Sequence, residues 1–210
     1  MIEIRCAYEL TLQDVESDAI PLWRRARQEL FPELKWQGRV QQMLMGQTQQ
    51  CVFAYATIWE DYSSWEKAYS QAQGVKEFKQ WLEAVESRSL RGGQSTMSQI
   101  IEPFEMPEFI TGQIEVQSSY IVPGNKLSSA AAVMGEGLAE RILPGYCTQR
   151  LFGTNAKSLF SWSSFWNSFS EWEKVIFGRT GDDLDRSEAW FSKWVNVVNI
   201  GGPKEVFRLL

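Results

Sequence analysis

The chain repeats itself, and the repeat limits what it can fold into. Slid over itself by 107 positions, residues 38–67 lie over 145–174 without a gap. Ten of the 30 pairs are identical: Gly38/Gly145, Gln42/Gln149, Leu44/Leu151, Gly46/Gly153, Phe53/Phe160, Trp59/Trp166, Ser63/Ser170, Trp65/Trp172, Glu66/Glu173 and Lys67/Lys174. Average residue usage would give roughly two. Tyr55/Trp162, Tyr62/Phe169, Ala54/Ser161 and Ala56/Ser163 keep size and class. With gaps, MIEI at 1–4 matches QIEV at 113–116, and Gly92-Gly93 matches Gly201-Gly202. The sequence is therefore read as two copies of one unit, 1–105 and 112–210. Between them lies a linker, 106–111, within EPFEMPEF, where two prolines and alternating acids suit an extended chain.

Each copy predicts the same order of elements. IEIRCAYEL and IEVQSSYIV alternate as half-buried strands. A helical stretch follows, 13–31 with Pro21 as a kink, or 124–142 opened by Pro123-Gly124. The second strand is 37–45 or 145–152. Polar turns, Gly46-Gln47-Thr48-Gln49 and Gly153-Thr154-Asn155-Ala156, lead into the third strand, CVFAYATIW or SLFSWSSFW. A long helix (64–89; 171–198) and a last strand (95–102; 203–209) complete each unit. Ser63-Ser64-Trp65-Glu66 and Ser170-Glu171-Trp172-Glu173 fit the S-x-x-E capping box, each cap contributing about 1 kcal/mol. A general base kept in both copies would also leave a repeated Glu, and that alternative stays open.

The order β-α-β-β-α-β is the ferredoxin-like split unit. Its four-stranded sheet carries both helices on one face and leaves the other bare. We expect that bare face to be apolar on alternate residues and to be buried against the other copy. The expected fold is α+β: two tandem ferredoxin-like units whose antiparallel sheets pack face to face as an intrachain α/β barrel.

Composition narrows the chemistry. There is no His, which removes Ser-His-Asp and Cys-His nucleophile systems, imidazole metal ligands and an imidazole ligand to haem. The net charge of -5 argues against a nucleic-acid partner. Cys6, Cys51 and Cys147 are too few for a disulfide framework and read as free thiols in a reducing, cytoplasmic setting. Cys147 has no visible activating partner and reads as inert. The start MIEIRCAYEL is no signal peptide, and no apolar run is long enough to span a membrane. No GxGxxG, Walker, CxxC or EF-hand pattern occurs, so neither a cofactor nor a metal is expected.

Ten Trp, 12 Phe and 6 Tyr give the chain its candidate site. Phe53, Tyr55, Thr57 and Trp59 share one sheet face, as do Phe160, Trp162, Ser164 and Trp166. Such a wall either stacks on a planar apolar ligand or is plain core. The intervening Ala54/Ala56 and Ser161/Ser163 are small, as if something bulky crosses the opposite face. Polar strand residues add Arg5, Tyr8, Arg39, Gln42, Tyr120, Gln149 and Arg150, where a Tyr or Arg could orient a ligand carbonyl or enolate. Gln42 and Gln149 read equally as partners for backbone groups. The candidate ligand-binding set is Tyr8, Arg39, Tyr55, Trp59, Tyr120, Arg150, Trp162 and Trp166. No catalytic residue is singled out.

The element order, the segments Trp59–Lys67 and Trp166–Lys174 (W-x-x-[FY]-S-x-W-E-K), and Tyr120-Ile121-Val122-Pro123-Gly124-Asn125-Lys126 together resemble the dimeric α/β-barrel superfamily. Within it they are most similar to NIPSNAP-like domains. The Pro-Gly motif occurs only in the second copy; the first has Leu10-Thr11-Leu12-Gln13 there. The resemblance spans nearly the whole chain. It implies a group containing cofactorless monooxygenases, polyketide cyclases, muconolactone isomerases, haem-degrading and haem peroxidase-like enzymes, and stress-responsive proteins. The haem enzymes generally use a His ligand, which this chain lacks. The resulting expectation is a protein that binds a hydrophobic cyclic or aromatic small molecule, with cofactor-independent monooxygenase, cyclase or isomerase as the activities. The alternative is a non-catalytic interaction or structural protein. Assembly into a homo-oligomer through the outer surfaces is left open.

Overall fold

A computed structural model describes residues 1–46, 51–153 and 155–210. Of the two predicted turns, Gln47, Thr48, Gln49 and Thr154 lie outside the described residues.

The first half holds strands β1 (Ile2–Leu10), β2 (Gln37–Met45), β3 (Val52–Trp59) and β4 (Ser89–Ile101). A continuous helical run, 15–33, follows β1 and is termed α1; its α-helical core Ile20–Arg25 is flanked by wider π-helical turns. Pro21 stands inside this run, at the junction where the first π-helical turn passes into the α-helical core. Helices α2 (Tyr62–Ala72) and α3 (Lys76–Glu86) separate β3 from β4. The second half holds β5 (Ile114–Ile121), β6 (Tyr146–Phe152), β7 (Leu159–Trp166) and β8 (Ile200–Leu209). Its helices are α4 (Leu127–Ala139), α5 (Phe169–Phe177) and α6 (Asp182–Val195). No helix among the described residues is long and apolar enough to cross a membrane.

The eight strands close into one antiparallel barrel in the order β1-β3-β2-β8-β5-β7-β6-β4. Each half contributes four adjacent strands, β4-β1-β3-β2 and β8-β5-β7-β6. The two groups do face each other across the lumen. They are also hydrogen-bonded edge to edge, where β2 meets β8 (Gln41↔Leu209, Met43↔Phe207) and β4 meets β6 (Gln99↔Gln149, Ile100↔Thr148). Closure satisfies backbone groups that an open sheet would leave bare at its edges.

One glycine in each half makes the sheet possible. A Cβ at Gly38 would lie 2.2 Å from the carbonyl oxygen of Ala56, and one at Gly145 would lie 2.0 Å from that of Ser163. Two residues further on in β3 and β7, Trp59 Nε1 donates to Thr57 Oγ1 and Trp166 Nε1 to Ser164 Oγ, both at 2.8 Å.

Four expectations need correction. First, the lumen face is not apolar: it carries Glu3, Arg5, Arg39, Gln41, Glu115, Gln117, Thr148, Ser161 and Ser163. The apolar alternates turn outward beneath the helices. Charged groups are tolerated inside because they pair with one another. Second, each long helix is two helices, broken at Gly74 and between Gly178 and Gly181, the latter at φ 57°. Apolar periodicity resumes after each break and conceals it.

Third, the helix caps lie two residues earlier than the boxes at Ser63 and Ser170. Asp61 accepts from Ser64 N (2.8 Å) and Ser168 Oγ from Glu171 N (3.1 Å), while Glu171 reaches back to Asn167 N (2.8 Å). Asp61 and Ser168 still have extended backbone, φ -155° and -157°, as a cap requires. Ser63 and Ser170 are already helical. Fourth, the segment 102–113 is more than a spacer. Phe104 meets Tyr146 edge-on at 5.7 Å, Phe109 meets Phe165 at 5.3 Å, and Arg27 Nη2 donates to Phe109 O (3.1 Å). These contacts stopper one end of the barrel.

Candidate ligand cavity and the barrel interior

Two places deserve a chemical reading: the charged lumen and the layer between sheet and helices. In the lumen, the fully buried Arg39 sends Nε to Glu115 Oε2 (2.7 Å) and Nη2 to Glu115 Oε1 (2.8 Å), a bidentate pair. It also donates to Glu3 Oε2 (3.3 Å) and Gln41 Oε1 (3.1 Å). Arg5 donates to Glu115 Oε1 (2.8 Å) and Gln117 Oε1 (3.1 Å). Tyr146 donates its phenolic proton to Glu3. Rings of Phe109 and Phe165 lie within 5.3 Å of the Arg39 guanidinium carbon.

Burial alone would push the Glu115 carboxyl up, but Arg39 and Arg5 outweigh it and hold its pKa at about 2. Burial pushes Tyr146 well above the ordinary tyrosine range despite Arg39, so it stays a donor. The cluster joins β1 and β2 to β5 and β6; its carboxylates are paired, while Arg5 Nε and Gln41 Nε2 are buried without a hydrogen-bond partner among the described residues. Toward the open mouth, a smaller space of about 290 Å³ is lined by Arg5, Arg91, Arg150, Gln117 and Glu205. There burial, then the neighbouring Arg5, lowers the Arg150 pKa, and burial raises that of Glu205.

The outer layers of the two halves differ. In the first, Trp23 from α1 stacks on Phe53 (5.6 Å, 22°) and meets Trp81 edge-on (5.2 Å, 82°). Phe31 and Trp36 close over Tyr55. These rings fill the space beneath α1 and α3, while an apolar space of about 450 Å³ remains beside Ile4, Trp65 and Met97. In the second half the helix at the place of α1 is α4, LSSAAAVMGEGLA, whose side chains are mostly small. A cavity of about 680 Å³ lies in this layer, to which α4 contributes Met134.

Its floor is Ser118 and Tyr120 of β5 and Trp162 of β7; its walls are Met134 of α4, Leu143, Trp172 and Phe177 of α5, and Trp190 of α6. The two principal indoles are fixed by backbone carbonyls: Trp162 Nε1 donates to Pro144 O and Trp190 Nε1 to Val133 O, both at 2.7 Å. Gly137 lets Trp190 approach α4, since a Cβ there would fall 2.6 Å from the indole nitrogen. Burial raises the Tyr120 pKa, outweighing a hydrogen bond to Ser118. Tyr120 is thus held as a neutral phenol. Arg179, Lys204, Ser187 and Glu188 supply the polar rim, Lys204 lying 5.4 Å above Trp172.

The predicted site residues fall into three places. Tyr120 and Trp162 share the cavity. Tyr8, Tyr55 and Trp59 belong to the filled aromatic layer of the first half, and Trp166 is buried beside Trp172 and Val116. Arg39 lies in the lumen cluster and Arg150 at its mouth. Gln149 donates to Lys157 O (2.8 Å), whereas Gln42 accepts from Arg208 (2.8 Å). Cys147 is fully buried, with its thiol pKa pushed up by burial. Sequence reasoning missed the lining outside the sheet: Met134, Ile176, Phe177 and Trp190 on helices, and Arg179 in the loop after α5. Among the described residues no group of His, Cys, Asp and Glu is placed to hold a metal.

The fold and this cavity define a class: single-chain α+β barrels with a ligand-sized space between sheet and helices. No protein-family model matches the chain, and no curated protein matches it. Solved structures do. An anthrone oxidase-like protein is 14% identical at a TM-score of 0.58, covering 100% of this chain and 91% of that one. A candidate monooxygenase from Fusobacterium nucleatum is 9% identical at 0.69, covering 100% and 92%. Another from Lactobacillus acidophilus is 7% identical at 0.66, covering 100% and 98%. At these identities the likeness shows a common fold and nothing finer.

Proposed function

We propose that this protein binds a hydrophobic cyclic or aromatic small molecule in the cavity between β5/β7 and α4–α6. One observation carries the reading: about 680 Å³ of space walled by Trp162, Trp172, Trp190, Tyr120 and aliphatic side chains. Ligand sites commonly occupy about 300–1,000 Å³ with this kind of lining. The name anthrone oxidase-like denotes a flat tricyclic compound, and the cavity suits a molecule of that size. Among cofactor-independent monooxygenase, cyclase and isomerase, the neighbours favour the first. In such a reaction Tyr120 donates a hydrogen bond to a ligand oxygen, and the dry aromatic walls hold the ring flat.

The chain is also proposed to be a duplicated unit, 1–105 and 112–210 about the linker 106–111, of NIPSNAP-like type and cytoplasmic. The equivalent steric roles of Gly38 and Gly145 and the matching Trp59/Trp166 hydrogen bonds support the duplication. The free state of Cys6, Cys51 and Cys147 accords with a reducing setting.

Titration with anthrone, read by tryptophan quenching, tests the cavity reading. Saturable binding is expected, and Ser118→Phe, which projects a ring into the space from β5, should abolish it without unfolding the barrel. Unchanged binding by that variant would place the ligand elsewhere.

A further inference from the structure

The apolar cavity has a charged neighbour. A groove of about 610 Å³ runs beside it, between the loop after α4 and the loop joining α5 to α6. Its charged residues are Arg141, Lys174, Arg179 and Arg186, against Glu140 and Asp183. Asp183 is already paired with Arg186. Among the described residues neither Arg141 nor Lys174 forms an ion pair. This local excess of cations stands on a chain whose net charge is -5.

The two spaces share Ile142, Arg179 and Ser187 as a common wall. Arg179 is held there from two sides. Its Nη2 donates to Ile142 O (2.6 Å) and its Nη1 to Ser187 Oγ. A fixed guanidinium thus stands where the aromatic space ends and the cationic groove begins. Resting on the cavity reading above, we propose that the ligand is an aromatic acid. Its ring system fills the apolar cavity, and its anionic tail crosses Arg179 toward Lys174 and Arg141. A guanidinium matches a carboxylate through two parallel hydrogen bonds, which a neutral tail lacks. Burial lowers the Arg179 pKa and Asp183 only partly restores it, so an arriving anion offsets a strained charge.

The test compares 1-pyrenebutyric acid with 1-pyrenebutanol, which share a ring and differ at the tail. Fluorescence titration of the intact protein should show the acid binding about tenfold tighter, as a charge-assisted hydrogen bond would give. The preference should shrink at about 1 M salt, where the Debye length is about 3 Å. It should also shrink in Lys174→Gln, with the affinity for the alcohol unchanged, and in Arg179→Gln, where the ratio of acid to alcohol affinity is the readout. Lys174 is exposed, so its replacement keeps the test valid if Arg179→Gln misfolds. Equal affinity of acid and alcohol overturns the anionic tail and leaves the cavity reading standing. Failure of both to bind overturns both.

Discussion

Glu115 sits where burial and charge pull in opposite directions, and charge wins. Its carboxyl falls from an ordinary 4.5 to about 2 because Arg39 and Arg5 reward ionisation. In the unfolded chain the group takes up a proton near the ordinary value, so between roughly pH 5 and pH 2 the unfolded state binds more protons. Stability from this group is full above that window and is lost as pH falls through it. Denaturant melts between pH 7 and 2 should show a decline that Glu115→Gln flattens. At neutral pH the same variant leaves Arg39 and Arg5 buried with one carboxylate fewer, which costs about 3–5 kcal/mol. Arg39 could be singled out from sequence as a polar residue on a strand. Its partner could not, because Glu115 lies 76 positions away and only the barrel register brings them together.

Among the elements, strands were the most legible. Period-two alternation in IEIRCAYEL and IEVQSSYIV marks them within a residue or so. Helix interruptions were hidden, since Phe78, Trp81 and Val85 continue the apolar stripe after Gly74. The caps were misplaced because two overlapping S-x-x-E frames exist at 168–173, and extended backbone selects the earlier. It follows that Ser168→Ala should lower stability by about 1 kcal/mol. Ser170→Ala, inside the first turn, should stay within about 0.5 kcal/mol of the parent. Urea unfolding of the two variants side by side distinguishes the frames. The difference in side-chain size between α1 and α4 is legible in the sequence. What the letters do not show is which sheet positions each helix covers.

For the whole molecule, the repeat made the barrel predictable while the two seams were not. Face-to-face packing and edge-to-edge closure both bury one face of each four-stranded half. Only the pairing of Gln41 with Leu209 and of Ile100 with Thr148 decides between them. A fragment ending at residue 105 would expose the outer edges of β2 and β4 and would strip Arg39 of its bidentate partner Glu115, leaving it Glu3 and Gln41. It should therefore associate or precipitate, which light scattering would show, and a monodisperse monomer would contradict the closure described above. The unequal outer layers have one more consequence. In a ring built from two identical chains, symmetry copies every vacancy, so hollowing one flank would hollow both. Here a single polypeptide owns both flanks, so the space of about 680 Å³ beside Trp162 and Trp190 is free to differ from that of about 450 Å³ beside Trp65 and Met97, and the expected stoichiometry is one guest per barrel.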